Sequence, residues 1–452
     1  MEERTCYPLM RAQKGLALLF GFYPDKQILN ICVRVRFAET VDEDRLAESI
    51  RLLPSILPYC RIRICLKDGQ FEQYVSDDAP EAMEIYDAPG RTEEEMQALY
   101  SDWAHELFPN DCMDVQLYRA RLVRREDNCR ELFFLGHHFI MDAYAVIGAI
   151  EHIGKIYKAL EDGTPLPKEA PLPWEMVEQE AQYYASPRYE ADVAWWKEFY
   201  REEPHFTSLN GLGSPEFIDG HSYGRGQNFT QLKGIAIDRV IPASLVERVN
   251  AAARDSRLAV QLYYLLALRT YLGKVSGTDD VIIDTVIARR STLTQKRSGL
   301  SRANTLPLRS VIAPDTSFRD ALLILDGIQK EIYRHADVLL EDFTGIINAQ
   351  HKTPPGCTYH TTWLTYQPYF DLSKSDLKFQ ANSIHNGAAA TPLYVYITPQ
   401  DASGELIATY NIALNYIRPE SVDRFHAFLL RFLENGILTP EESIGSLLGK
   451  CL

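Results

Sequence analysis

Alternating and helical hydrophobic patterns recur along both halves of the chain. In the first half, residues 28–37 (ILNICVRVRF) alternate apolar and polar positions, which predicts a strand. The segment VDEDRLAESIRLL follows and predicts a helix beginning near Asp42 or Asp44, since an aspartate at a helix start accepts hydrogen bonds from free backbone amides. In the second half, GIAIDRVIP predicts a strand, and ASLVERVNAAARDS and VQLYYLLALRTYLGKV predict helices. Each half thus contains a similar strand-then-helix unit, which hints at an internally duplicated fold.

A further strand is predicted at residues 131–136 (ELFFLG), followed by a helix that starts near Asp142. Apolar residues in this helix recur at spacings of three and four, which places them on one face. They are Val146, Ile150, Ile153, Tyr157 and Leu160. Residues 279–288 (DDVIIDTVIA) and 305–312 (TLPLRSVI) predict two more strands. This alternation of strands and helices favours a mixed α/β (α+β) fold.

A proline-rich stretch separates the two patterned regions. Residues 164–174 (TPLPKEAPLPW) contain four prolines, as expected of a linker or a domain crossover. A chain of 452 residues is long enough for two domains. We therefore predict an N-terminal lobe at residues 1–170 and a C-terminal lobe at residues 171–452.

Composition restricts the possible partners. The chain is 46% hydrophobic and 24% charged, as is usual for a soluble protein with a large core. Its net charge of -15 argues against a nucleic-acid partner and is compatible with a cationic small substrate, although acidic surfaces mostly serve solubility. No apolar run approaches the roughly 18 residues of a membrane helix, and the start MEERTCYPLM does not match a signal peptide. We expect a cytoplasmic protein without a membrane partner.

The eight cysteines are scattered and form no C-x-x-C pair, so the sequence indicates neither a zinc ribbon nor a disulfide framework. We expect them to be reduced thiols, several of which fill the core. They are Cys6, Cys32, Cys60, Cys65, Cys112, Cys129, Cys357 and Cys451.

The motif HHFIMDA lies at the predicted strand-to-helix turn. His137 and His138 are adjacent, and Asp142 follows four residues after the second histidine. Neighbouring side chains of extended backbone point in opposite directions, so one histidine can face a cleft while the other packs inward. A neutral imidazole is a suitable base for an attacking amine or hydroxyl. Asp142 could organise the turn, provided that a cation or several donors compensate for its burial.

Two other interpretations of this motif stay open. The histidines could be surface or core residues without a role. Alternatively, His137, His138, Asp142 and His152 offer ligand atoms for a metal, but adjacent histidines rarely share one ion and the spacing matches no common metal motif, so we predict no metal.

The sequence offers no established motif for a covalent nucleophile or for phosphate binding. The pattern G-x-S-x-G occurs at residues 220–224 (GHSYG), but no predicted strand leads into it as a nucleophile elbow requires, and there is no P-loop and no G-x-G-x-x-G after a strand. Cys357 has His360 three residues on, but a buried thiol is the better interpretation. The sequence therefore favours direct transfer of an activated acyl group to an acceptor held beside His138.

Around these histidines the chain resembles the condensation domains of nonribosomal peptide synthetases, members of the chloramphenicol-acetyltransferase-like fold, whose signature is HHxxxDG. The likeness extends along nearly the whole chain. Its further motifs are YPLMRAQKGLALLF with Gln13 and Gly15, GTDDVIIDT at the end of residues 240–285, ANTLPLR with Asn304 and Thr305, RHADVLLEDF with His335, Leu340 and Glu341, and the ending from GELIATYNIALNYI onward.

The resemblance implies two similar lobes in a V with a central tunnel. It implies that His138 is catalytic, that His137 and Asp142 support the site, and that Arg290 pairs with Asp142. The alternative is that Arg289 and Arg290 form a solvated pair at a strand end. The family's donors are thioesters on the phosphopantetheine arm of a carrier protein, so no bound cofactor or metal is implied.

The chain departs from the family pattern at several positions. Ala143 replaces the motif glycine and adds a methyl group beside the proposed substrate channel, to which Asn304 is also assigned. The remaining departures are Ser301, Arg302 and Ala303 where the family has mostly apolar residues, Pro392 at an acidic position, and residues 59–64 (YCRIRI), which only loosely match a basic segment. The aspartate-rich pattern of heterocyclising relatives is not visible, which disfavours cyclisation.

We therefore predict a stand-alone acyltransferase that acts on partners in trans, with a fragment of a larger synthetase as the alternative. It would form an amide or ester between a carrier-bound acyl group and a small amine or alcohol. One alternative is a relative that uses acyl-coenzyme A as donor. Another is a catalytically silent domain that docks carrier proteins.

Overall fold

A computed structural model describes residues 5–23, 25–37, 41–126, 129–207, 233–353, 359–367, 377–399 and 403–452. The helices in these ranges are α1 (Arg11–Phe22), α2 (Glu43–Ile56), α3 (Glu93–Ala104), α4 (Ala143–Asp162), α5 (Trp174–Tyr184), α6 (Pro187–Phe199), α7 (Ala243–Ser256), α8 (Gln261–Ser276), α9 (Leu293–Arg297), α10 (Phe318–Arg334), α11 (Leu340–His351), α12 (Pro419–Leu438) and α13 (Ile444–Cys451).

The strands in the same ranges are β1 (Tyr7–Pro8), β2 (Asn30–Phe37), β3 (Ile62–Lys67), β4 (Gln70–Val75), β5 (Glu84–Asp87), β6 (Tyr118–Arg124), β7 (Arg130–His137), β8 (Gly234–Ile241), β9 (Asp280–Ile287), β10 (Asn304–Val311), β11 (Thr362–Tyr366), β12 (Phe379–Ile384), β13 (Leu393–Pro399) and β14 (Leu406–Ala413). This mixture of helices with both parallel and antiparallel strand pairs confirms the predicted α/β class.

The chain divides into two compact units. The first consists of Met1–Ser186 together with two later segments, Ala288–Ala303 and Asp371–Gly387, and the second contains the remaining residues. The two lobes predicted from the proline-rich stretch, residues 1–170 and 171–452, stay a prediction, because compact units and lobes are different divisions of the chain. The units defined by contacts differ from them, because the first unit continues through α5 and takes segments from the second half of the chain.

A five-stranded sheet in the order β12-β2-β7-β6-β5 forms the centre of the first unit. Its middle strand, β7, pairs antiparallel with β2 and β6 and is buried over nearly its whole length. β12, from the later segment, adds an edge by pairing antiparallel with β2. A smaller sheet in the order β1-β4-β3 belongs to the same unit.

Helix α4 packs its predicted apolar face into the first unit. Val146, Ile150, Ile153 and Tyr157 are each at most 3% exposed, and burying such a side chain contributes about 1.5–3 kcal/mol. Leu160, at the end of the same face, is half-buried. The packing of this face fixes the start of α4, which follows the histidine motif.

The strand and helix predicted nearest the N-terminus are found with small shifts. The predicted strand at 28–37 begins at Asn30, because Asn30 pairs with His137, the last residue of β7, and the residues before it form a short 3-10 turn. Asp42 caps α2 by accepting a hydrogen bond from the Arg45 amide at 2.8 Å.

A six-stranded sheet in the order β10-β9-β11-β13-β14-β8 forms the second unit. β11 is parallel to both of its neighbours, and the other pairs are antiparallel. Helices α8 and α12 supply many of the buried side chains of this unit's core. The predicted strands at 279–288 and 305–312 correspond to β9 and β10, which form an antiparallel pair.

Candidate active site

The histidine motif occupies a tight turn between β7 and α4. The amide of Met141 donates to the His137 carbonyl at 3.2 Å, which closes the turn. Asp142 is the N-cap of α4, and its Oδ1 accepts from the Ala145 amide at 3.0 Å. An aspartate here satisfies a backbone donor that the first helical turn leaves unpaired. The sequence at this point thus fixes both the end of the strand and the start of the helix.

His137 is a packing residue. It is 1% exposed, and its ring contacts the rings of Phe20, Phe108 and Phe139. Its Nδ1 accepts a hydrogen bond from the Phe139 amide at 3.2 Å, so this nitrogen carries no proton. Burial, with a smaller contribution from His138, lowers the pKa of His137 to about 3. The imidazole therefore stays neutral at physiological pH.

His138 is half-buried, in contrast to its neighbour. Its Nδ1 lies 3.0 Å from Ser301 Oγ. Burial lowers the pKa of His138, and the negative charge of Asp142 and a hydrogen bond to the backbone carbonyl of His138 itself oppose that effect. A neutral imidazole in a partly accessible position has the properties required of a general base.

Asp142 and Arg290 form a buried ion pair. Arg290 Nη1 lies 2.6 Å from Asp142 Oδ2, and the side chains are 1% and 2% exposed. The same oxygen accepts from the amides of Arg302 and Ala303 at 3.0 and 3.1 Å. Burial alone would raise the pKa of Asp142, but the charge and hydrogen bond of Arg290 and the backbone donors lower it below its usual value. The carboxylate of Asp142 is therefore ionised, and both of its oxygens accept hydrogen bonds.

Arg290 also holds the chain that carries Ser301. It donates to the carbonyls of Gly299 and Leu300 at 3.2 and 2.8 Å, and its guanidinium lies 4.9 Å from the centre of the Tyr144 ring. Arg290 and Asp142 together therefore fix residues 299–303 against the turn that bears the histidines.

The surroundings of this arginine are buried. Its segment, Ala288–Ala303, lies in the same compact unit as Asp142. The alternative of a solvated pair at the strand end is wrong, because the Arg289 and Arg290 side chains are only 4% and 1% exposed. Arg289 lies 3.6 Å from the buried carboxylate of Glu180, so both guanidinium groups have an acidic neighbour.

The two residues assigned to the substrate channel have different environments. Ala143 is the first residue of α4 and is half-buried. Asn304, in the second unit, is 4% exposed, and its amide group donates to the carbonyls of Ala336 and Val338 and accepts from the Leu340 amide. These bonds hold the start of α11, and a channel role for either residue stays a prediction.

Other candidate groups have local partners. His152 Nδ1 lies 2.7 Å from the Gly148 carbonyl one turn earlier in α4. Among the residues that the structure describes, no three His, Cys, Asp or Glu side chains are grouped so as to hold a metal ion. Every cysteine in the described ranges is free, and Cys357 lies outside them. Every helix of the described chain is too short or too polar to cross a membrane.

Ser301 is a site residue that the sequence reasoning did not select. Its Oγ contacts the backbone carbonyls of His138 and Met141 as well as the His138 ring. The only signal was its departure from the mostly apolar residues that the family has before Asn304. That signal gave no partner, because the contact spans 163 positions.

Comparisons with known proteins identify the family of the chain and its fold. The family model of condensation domains matches residues 3–448. Surfactin synthase subunit 1 of Bacillus subtilis (strain 168) is 24% identical over 98% of this chain, which spans 12% of that relative's length. The first condensation domain of the calcium-dependent antibiotic synthetase, solved with a substrate analogue, superposes with a TM-score of 0.83 at 19% identity, covering 98% of this chain and 99% of that one.

A second solved structure is similar to the same extent. A variant of the starter condensation domain of rhizomide synthetase, in complex with C8-CoA, has a TM-score of 0.82 and 19% identity, covering 98% of this chain and 97% of that domain. At this identity the two structures establish the fold alone.

Proposed function

This chain belongs to the condensation domain family, and we propose that it transfers an acyl group from a carrier-protein thioester to a small amine or alcohol. Its family membership rests on the family model that spans residues 3–448. The proposal is carried by one observation: a half-buried, neutral His138 in a turn that a buried ion pair holds in place.

In the proposed reaction, His138 takes the proton of the acceptor as the acceptor attacks the thioester carbonyl. A carbon–nitrogen or carbon–oxygen bond forms, the carbon–sulfur bond breaks, and the electron pair of that bond leaves on sulfur. His138 then returns the proton to the thiolate of the phosphopantetheine arm. Atoms and charges balance without a redox partner or metal, and the arm is part of the donor rather than a resident cofactor.

The supporting residues act through His138. Asp142 and Arg290 neutralise each other and are both almost completely buried, so neither is available as a second base. Their hydrogen bonds instead fix the helix start and residues 299–303 around the imidazole. Holding the base in one orientation lowers the entropic cost of reaching the transition state.

Acyl-coenzyme A is a second candidate donor. The rhizomide synthetase domain that is similar to this chain was solved with C8-CoA. Coenzyme A and the carrier arm present the same phosphopantetheine thioester, so the same imidazole would serve either donor.

The experiment supplies this chain with acyl-carrier proteins, added as separate chains, and with acyl-coenzyme A donors. A panel of amines and alcohols serves as acceptors, and intact-mass and small-molecule mass spectrometry identify products. Formation of an amide or ester with the carrier donor, lost in His138→Ala and retained in the exposed-histidine control His105→Ala, would support the proposal.

Two outcomes would contradict it. Product formed only from acyl-coenzyme A would select the second donor. Carrier binding without product, with any donor and acceptor, would indicate a silent docking domain.

A further inference from the structure

We propose that Ser301 is a positioning residue that holds His138 in the tautomer protonated at Nδ1, leaving the Nε2 lone pair to act as the base. The inference deepens the proposed function and rests on it for its kinetic consequence. Its structural part concerns the ring of His138 alone.

The argument begins with the hydrogen bonds of the Ser301 hydroxyl. Ser301 Oγ contacts the carbonyl of His138, lies 2.9 Å from the carbonyl of Met141, and lies 3.0 Å from His138 Nδ1. A carbonyl oxygen only accepts, and a serine hydroxyl has one proton to donate. The geometry with two carbonyls therefore directs that proton to the backbone and leaves Oγ as an acceptor towards the imidazole.

An acceptor facing Nδ1 selects the protonation state of that nitrogen. If Nδ1 carries the proton, it donates to Ser301 Oγ while the hydroxyl keeps its own bond to a carbonyl, and the ring also has the carbonyl of His138 itself as an acceptor. If Nδ1 is bare, the hydroxyl must give up its carbonyl to donate to the ring, and one hydrogen bond is lost. In a neutral imidazole the proton on Nδ1 leaves Nε2 without one. This is the state in which Nε2 can take a proton from an acceptor.

The hydroxyl itself is held rigidly. Ser301 is 3% exposed, so water rarely offers it another partner. On its N-terminal side, Arg290 binds the carbonyls of Gly299 and Leu300, and on its C-terminal side Asp142 binds the amides of Arg302 and Ala303. The buried ion pair thus acts on the imidazole through Ser301.

Ser301 also affects the charged form of His138. Its oxygen continues to accept from Nδ1–H after Nε2 is protonated, and thereby stabilises the imidazolium that forms during transfer. Removing the oxygen should shift the acid limb of the pH profile to lower pH and reduce kcat more than it raises KM. A serine that merely fills space would alter neither the tautomer nor the profile.

The test uses ring-15N-histidine labelling of the full chain, with His138→Ala identifying the resonances of His138. We expect a pyrrole-type Nδ1 and a pyridine-type Nε2 in the wild type. In Ser301→Ala the Nε2-protonated form should become populated, kcat should fall roughly tenfold, as expected for one lost hydrogen bond, and the profile should shift as described. Ser301→Thr, which keeps the hydroxyl, should restore the wild-type tautomer.

Ser298 provides a matched control, because it is fully buried in the same segment and its hydroxyl donates to the Thr294 carbonyl at 2.6 Å. The proposal would be overturned if Ser298→Ala changed the tautomer and kcat as much as Ser301→Ala does. It would also be overturned by an Nε2-protonated His138 in the wild type, a measurement that needs no variant. An unchanged tautomer in folded Ser301→Ala would also overturn it. If the wild type makes no product, the proposed function fails, and the NMR measurement still decides the role of Ser301.

Discussion

Arg290 and Asp142 are 148 positions apart in the sequence, yet their side chains meet at 2.6 Å in an almost completely buried pair. The pair joins three parts of the site: the start of α4, the turn with the two histidines, and residues 299–303. Both the stability of the first unit and the orientation of His138 therefore depend on it.

Breaking this ion pair should destabilise the protein strongly. We expect Arg290→Met or Asp142→Asn to lower the free energy of unfolding by about 3–5 kcal/mol, because the remaining group becomes a buried and poorly compensated polar group. Urea denaturation monitored by circular dichroism measures this change. The exposed pair of Arg248 and Glu434 is the control, and Arg248→Met should cost less than about 1 kcal/mol.

The two histidines should respond differently to replacement. His138→Ala should preserve the fold and reduce turnover by roughly two or more orders of magnitude, the usual range for a lost acid–base group. His137→Ala should act mainly by removing the ring that Phe20, Phe108 and Phe139 surround, and so lower thermal stability. Single-turnover rates and melting curves separate these effects, and a purely catalytic loss in His137→Ala would reverse the assignment.

The protein should lose stability on acidification, and His137 should contribute to this loss. Its pKa is about 3 in the folded protein, whereas an unfolded histidine titrates near ~6.5. The unfolded state therefore binds the extra proton first, and stability that is fully present above about pH 6.5 declines as the pH falls towards 3. Urea midpoints at pH 7 and pH 5 measure this loss, which should be smaller in His137→Leu. An equal loss in both proteins would show that other groups dominate.

Replacing Ala143 with glycine should widen the range of acceptors. Ala143 is half-buried at the start of α4, one residue after Asp142, and its methyl group adds bulk at that point. We expect Ala143→Gly to lower KM for branched amines more than for linear ones, with a stability cost of at most about 1 kcal/mol. Equal KM ratios for the two groups of amines in both proteins would argue against a channel position.

Local patterns in the sequence predicted the surroundings of His138 well. The strand at 131–136 and the helix after Asp142 follow from hydrophobic periodicity, which depends on neighbouring residues. The separate environments of His137 and His138 follow from the alternation of side chains in extended chain, together with the family motif. The pairing of Asp142 with Arg290 came from the resemblance, since no local pattern relates positions so distant.

The parts that could not be predicted depend on tertiary packing. Ser301 is an ordinary small polar residue by sequence, and its role comes from meeting two carbonyls and a ring that lie about 160 positions earlier. Likewise, Ala288–Ala303 joins the first unit although β9 and β10 on either side of it belong to the second. A proline-rich stretch can mark a boundary between domains, but it does not reveal that a segment far beyond that boundary packs into the first unit.

The two later segments of the first unit are synthesised well after the rest of that unit. The ribosome makes His138 and Asp142 early, but Arg290 and Ser301 emerge only about 150 residues later, and the edge strand β12 later still. At the usual ~5–20 residues per second, the turn with its histidines waits on the order of ten seconds or more for the groups that complete it. During translation the nascent first unit therefore holds an incomplete turn, so His138 is fixed in place only after about 150 further residues have been made.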